Sequence, residues 1–221
     1  MRVVIAGGHG KIALILERLL AERGDSAVGL IRNPDHVADV GAAGAEPVVV
    51  DLEKATVAEV AAHVRGADAV VFAAGAGPGS GAARKETVDR DAAILLADAA
   101  EAAGVRRYVM ISAMGADAGA QAGGDPVFVA YLRAKGVADD AIRVRESLDA
   151  TIVRPGLLTN EPGTGRVTIA DSTGRASIPR ADVAAVLVAV LDTPGTAGQT
   201  FEVISGDTPI VDAVASRVNV K

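Results

Sequence analysis

Short, mostly β-branched apolar runs alternate with longer segments of helical period along most of this chain, and that alternation restricts its fold more than any single motif. Val3 to Ala6, Ala27 to Ile31, Glu46 to Val50, Ala69 to Ala73, Tyr108 to Ile111, Ala150 to Val153 and Gln199 to Val203 read as strands. Between them, Lys11 to Arg23, Val57 to Arg65, Lys85 to Ala103, Val129 to Glu146 and Ala181 to Leu191 read as helices, with a shorter helical stretch near Pro34 to Val40. In the first helix Ile12, Ile15, Leu16, Leu19 and Leu20 share one face, and Gly24 stands past its end. Strands that alternate with helices wind into a parallel sheet covered on both faces. The expected fold is α/β: a Rossmann-type, doubly wound, mainly parallel sheet flanked by helices. Asn160 to Ser177 reads as irregular or weakly β. With no repeat or linker in view, residues 1–221 are expected to form one domain, in which about 156–180 and 204–221 shape a small substrate region.

Composition agrees with this fold and excludes several functions. Half the residues are hydrophobic but only 2% are aromatic, so the core must be built from Ala, Val, Leu and Ile, as suits buried parallel strands. The net charge of -6, with arginines scattered singly or in pairs, opposes binding to nucleic acid, which needs clustered cations. The absence of cysteine removes disulfides, thiolate metal sites and a thiol nucleophile. No metal-ligand spacing is present either, since His9, His36 and His63 lie far apart in sequence. No apolar run approaches the roughly 20 residues that span a bilayer, and no basic-then-apolar leader precedes the first strand. A soluble, cytoplasmic protein, monomer or homodimer, without membrane or nucleic-acid partner, is expected.

The most chemically informative segment is Ile5-Ala6-Gly7-Gly8-His9-Gly10-Lys11-Ile12-Ala13, where the first strand meets the first helix. Glycines there let backbone approach a pyrophosphate, and the N–H groups and dipole of the helix favour its charge. Gly7, Gly8, His9, Gly10, Lys11 and Ile12 are therefore candidate cofactor contacts, with Ala13 small enough for close helix–strand packing. An NTPase P-loop is excluded, because Ile5 stands where its first glycine belongs and Ile12 follows Lys11. The second strand ends Leu30-Ile31-Arg32-Asn33, without the acid that binds a ribose 2′-hydroxyl in NAD sites. Arg32, with Asn33 beside it, would attract a 2′-phosphate, so NADP(H) is expected and NAD(H) is the alternative; a merely solvated Arg32 stays open.

With these residues in view, the chain resembles the atypical branch of the short-chain dehydrogenase/reductase superfamily, which includes NmrA-like, epimerase-like and flavin-reductase-like proteins. Further elements of the resemblance are Asp51-Leu52, Ala73-Ala74-Gly75, Val88-Asp89-Arg90-Asp91, Met110-Ile111-Ser112-Ala113, Tyr131-Leu132-Arg133-Ala134-Lys135, Arg154-Pro155-Gly156 and Arg180-Ala181-Asp182-Val183-Ala184. It implies that Asp51 and Leu52 flank the adenine and that Ala73, Ala74 and Gly75 line the ribose and nicotinamide side. Pro155, Gly156, Leu157 and Leu158 would form a shelf for the nicotinamide. Asp89 departs from the Asn often found at its position, which puts a proton relay there in doubt. The chain is also shorter than sugar-nucleotide epimerases.

Tyr131 and Lys135 lie four apart in a helical segment and so share a face. A nearby ammonium stabilises a phenolate, and Ser112, closing a strand, would hydrogen-bond a substrate carbonyl. The resemblance assigns Ser112, Tyr131 and Lys135 to catalysis, with Lys135 also holding the cofactor; the alternatives are a Tyr131 that only caps the core and a Lys135 that only binds ribose or solvent. The expected activity is an NADP(H)-dependent oxidoreductase acting on a small carbonyl, quinone or flavin-like substrate. A non-catalytic NADP(H) redox sensor, or an epimerase- or dehydratase-like enzyme, are its rivals. Glu53 and Glu59 read as surface and helix-start charges, Asp182 as a structural acid at a helix start, and Arg154 as either an ion-pair partner or a substrate contact.

Overall fold

A computed structural model describes residues 1–77, 79–121 and 124–218. Pro78, in the glycine-rich 75–81 loop, and the last three residues of the expected 204–221 segment lie outside the described residues. In chain order the elements are β1 (Arg2–Ala6), α1 (Lys11–Glu22), β2 (Ser26–Ile31), a 3-10 turn (Pro34–His36), α2 (Val37–Ala42), β3 (Glu46–Val49), α3 (Val57–Val64) and β4 (Ala69–Phe72). There follow α4 (Gly81–Arg84), a π-helical segment (Lys85–Asp91), α5 (Ala92–Ala103), β5 (Arg107–Ile111), α6 (Pro126–Arg143) and β6 (Asp149–Pro155). The remainder is β7 (Leu157–Thr159), β8 (Arg166–Ala170), β9 (Ser177–Pro179), α7 (Arg180–Leu191), a 3-10 turn (Pro194–Thr196), β10 (Thr200–Ser205), β11 (Thr208–Pro209) and α8 (Ile210–Ala215).

Nine strands form one sheet in the order β11-β8-β10-β6-β5-β4-β1-β2-β3. Pairing is parallel from β3 across to β10, and β8 and β11 close the other edge antiparallel. This is the Rossmann-type α/β fold that the alternating pattern implied. The inner strands are buried on both faces, which is why they read as unbroken apolar runs: Val3 to Ala6 and Ala69 to Phe72 have no exposed surface. Leu16, Leu20, Val183, Val186, Leu187 and Val190 of α1 and α7 pack on one face. Val60, Val64, Leu96, Ala100, Ala138 and Ile142 of α3, α5 and α6 cover the other. No helix among the described residues is long and apolar enough to cross a membrane.

Differences from expectation have local causes. Val129 to Glu146 was too late a start, because Pro126 opens α6 and the Asp125 side chain accepts from Val127 N at 2.9 Å, an N-cap. Lys85 to Ala103 is not one α-helix: it opens as the π-helical turn and becomes α only at Ala92. Within the stretch expected to be irregular or weakly β, Arg166–Ala170 is a ladder strand, paired with β10 from Glu202↔Ala170 to Ser205↔Val167.

Candidate functional site

The order of the sheet reverses at β1, whose neighbours are β2 and β4, so a crevice opens beyond the carboxyl ends of these strands. The glycine loop lies in it. Gly7 has φ +83, and a Cβ there would stand 2.6 Å from Ala74 Cα; one on Gly8 would stand 2.7 Å from Gly29 Cα. The N–H groups of Gly7 and Gly8 both donate to Leu30 O, at 3.1 and 3.0 Å. Gly10 caps α1 without any side-chain cap, leaving the first-turn N–H groups to an incoming anion. A side-chain-free cradle at an uncapped helix start fits a pyrophosphate. Gly8 packs inward against β2, and Lys11, the first residue of α1, is exposed; neither is among the residues lining the two hollows.

One hollow, of ≈ 280 Å³, is lined by Gly7, His9, Gly10, Arg32, Asn33, Asp51, Leu52, Ala73, Ala74 and Gly75, all anticipated from the sequence. Among the other residues on its wall are three polar side chains that were not anticipated there: His36, Glu53 and Arg84. Glu53, expected to be a plain surface charge, is instead a hub. It accepts from Arg32 at 2.9 Å, Arg84 at 2.7 Å and Thr87 at 2.7 Å. The bond from Arg84 foremost, with those from Thr87 and Arg32, holds its carboxyl down at about 2 against the opposing effect of burial. Arg32 is therefore neither loose nor purely solvated, although its side chain remains 55% exposed. The histidines' distance in sequence also misleads: His9 and His36 stack with ring centroids 3.5 Å apart, and His9 Nε2 lies 2.8 Å from Asp39.

A second hollow, of ≈ 1160 Å³, continues past Ala73, Ala74 and Gly75 and is lined by Ile12, Ser112, Tyr131, Lys135, Pro155, Gly156, Leu157 and Leu158. Helix α6 brings Tyr131, Lys135 and Asp139 to one face by their four-residue spacing. The Ser112 hydroxyl donates to Asp139 Oδ2 at 2.8 Å, and Arg154 donates to the same oxygen through Nε at 2.8 Å and Nη2 at 2.7 Å. Arg154 is thus the ion-pair partner of the two options left open. Lys135 Nζ donates to Ile111 O at 3.0 Å and lies 3.6 Å from Asp89, whose other oxygen accepts from Ala76 N at 3.2 Å. Burial lowers the Lys135 ammonium pKa, against Asp89 and Asp139. Burial, then the carboxylates of Asp89 and Asp139, push the Tyr131 phenol well above its ordinary value. Lys85, itself buried, donates to Gly77 O at 2.8 Å and lies 5.4 Å from the Tyr131 ring centroid. Asp182 accepts from Thr164 N and Gly165 N at 3.0 and 2.9 Å, a structural acid in the first turn of α7.

Residues 7–194 match the family described as NAD(P)H-binding, and the chain belongs to it. It is 37% identical over 97% of its length, and 99% of the relative's, to an uncharacterized sugar epimerase, YhfK, of Bacillus subtilis. A solved Bacillus halodurans protein described as an NAD-dependent epimerase/dehydratase superposes with TM-score 0.89 at 40% identity, covering 98% of this chain and 99% of that one. The oxidoreductase ylbE of Lactococcus lactis gives TM-score 0.85 at 28% identity, over 98% and 96%. The nicotinamide cofactor and the oxidoreductase or epimerase-like family follow from these matches; substrate and choice between NAD and NADP do not.

Proposed function

We propose that the chain is an NADP(H)-dependent reductase of a small carbonyl, quinone or flavin-like acceptor. The observation that carries this is Tyr131: a phenol on the wall of the larger hollow, which Ser112 and the Pro155 to Leu158 shelf also line, with its hydroxyl committed to no other group among the described residues. Such a phenol can hand its proton to a carbonyl oxygen as hydride reaches the carbon, the transfer that reduction requires.

The cofactor, when bound, supplies the hydride. Gly7, His9, Gly10 and Ile12 would hold its pyrophosphate, Asp51 and Leu52 its adenine, and Ala73 to Gly75 with Pro155 to Leu158 its nicotinamide half. Arg32 and Arg84, sharing the one carboxylate of Glu53, leave a net positive charge for a 2′-phosphate. Ser112 lines the hollow with its proton given to Asp139, so it offers a substrate a lone pair and turns to donate only if that bond rearranges. Lys135 acts as a positioning residue, holding Asp89 and the end of β5. Segment 156–180 shapes the substrate side.

The relatives described as epimerases raise a second possibility. An epimerase cycle needs proton transfer both from and to a sugar oxygen, for which Tyr131 would again be the group in reach. A screen of aldehydes, quinones and free flavin against NADPH, with Tyr131→Phe beside the parent, tests the proposal. Acceptor-dependent NADPH oxidation abolished for aldehydes in the variant is expected. Tight NADPH binding with no turnover on any acceptor would leave a redox sensor instead.

A further inference from the structure

Building on the proposed reductase function, we propose that the natural substrate is an apolar carboxylate, its acid group received by Arg175, Arg180 and Lys85. The larger hollow has four cationic residues on its wall, and among the described residues only Lys135 has a carboxylate within ion-pair distance. Lys85 is satisfied only by Gly77 O, and Arg180 by Leu158 O and Asn160 Oδ1 at 3.4 and 2.8 Å. Arg175 makes no hydrogen bond or ion pair among the described residues. The two acids on the same wall are both engaged: Asp89 faces Lys135 and Ala76 N, and Asp125 caps α6. Three cations without a carboxylate partner among the described residues, gathered around one hollow in a chain of net charge -6, favour an anion there.

Their placement separates them from the adenosine hollow. Arg175 and Arg180 flank β9, which runs parallel to β7 in the register Leu157↔Ser177 to Thr159↔Pro179. Leu157 N donates to Ala176 O at 2.9 Å, so both arginines stand beside the expected nicotinamide shelf and none lines the 280 Å³ hollow. Much of the rest of the wall is apolar. Phe128 and Leu157 remain 53% and 75% exposed at its edge, with Met114 and Leu132 deeper. A sugar phosphate would set its hydroxyls against that surface, whereas a flat hydrophobic body with a carboxylate matches both halves, and a guanidinium fork suits the carboxylate.

The test is calorimetric titration of the NADP+-saturated protein with 4-formylbenzoate and with its methyl ester, which share ring and aldehyde and differ in charge. The acid is expected to bind about tenfold tighter at low salt, the gap narrowing as salt rises. Arg175→Ala should remove most of that gap and Arg175→Glu should reverse it. Equal affinities, no binding of the acid, or a gap unmoved in both variants would overturn the inference. Failure of NADP+ to bind at all would overturn the cofactor assignment instead, and a charge preference without reduction of the aldehyde by NADPH would overturn only the reductase function.

Discussion

Replacing Glu17 by glutamine should stabilise the protein, and by an amount that depends on pH. Glu17 lies on α1 with no exposed surface, and neither carboxyl oxygen has a hydrogen-bond partner. It packs beneath the cofactor loop: a Cβ on Gly29 would stand 2.6 Å, and one on Gly8 2.9 Å, from its Oε1. Burial alone pushes its pKa from 4.5 to about 8. The folded state therefore holds a proton that the unfolded chain releases above its own lower pKa. Stability from this group is complete below pH 4.5 and declines until the folded group ionises near 8. At pH 7 the loss amounts to ~3 kcal/mol, at pH 5 to less than ~1 kcal/mol, from about 1.4 kcal/mol per pH unit. Glutamine keeps the shape and cannot ionise, so any constant cost of its amide cancels when two pH values are compared. Urea unfolding of both proteins at pH 5, 7 and 8.5 measures the difference directly. A gap between variant and parent that grows by ~2 to 3 kcal/mol from pH 5 to 7, and by a further ~1 kcal/mol to pH 8.5 as it levels off, is expected. A gap independent of pH would refute the reasoning, because Glu17 would then be ionised in the folded protein.

Other perturbations have defined outcomes. Tyr131→Phe should lower NADPH-dependent aldehyde reduction by about 10² or more while leaving NADPH affinity intact, as steady-state kinetics and a fluorescence titration would show. Asp139→Ala strands Arg154 and leaves Ser112 without its acceptor, and should cost ~3 kcal/mol in urea unfolding. Thr56→Ala removes the capping box that joins Thr56 and Glu59 at the start of α3, for a loss of ~1 kcal/mol by the same assay. Gly7→Ala forces a methyl against Ala74 at a positive φ, so cofactor binding should fall sharply and thermal stability with it, read by titration and circular dichroism.

The strand ends that bear the site were legible because parallel strands declare themselves as apolar runs and their carboxyl ends follow directly. Gly7 and Arg32 were read in this way, while Asp51, Ala73, Ser112 and Pro155 came from the family resemblance; all six line the two hollows. What escaped lies in contacts between segments far apart. Glu53 meets Arg84 31 residues on, and His9 meets His36, pairings that no local period announces. Asp139 was within reach, since it continues the Tyr131 and Lys135 spacing by one more helical turn, but its hold on Ser112 depends on where α6 docks. That docking is close: a Cβ on Gly136 would stand 2.2 Å from Ala118 N. Strand β8 was obscured because only the two-residue β11 lies beyond it and only Val167 is fully buried, so the run lacks the apolar density of the inner strands.

Cofactor choice is decided most directly by titrating the purified protein with NADPH and NADH, repeated on the Arg32→Ala/Arg84→Ala double variant. NADPH about tenfold or more tighter than NADH in the parent, with the two equal in the variant, is the result predicted. Equal affinities in the parent, or a preference that survives loss of both arginines, would contradict it.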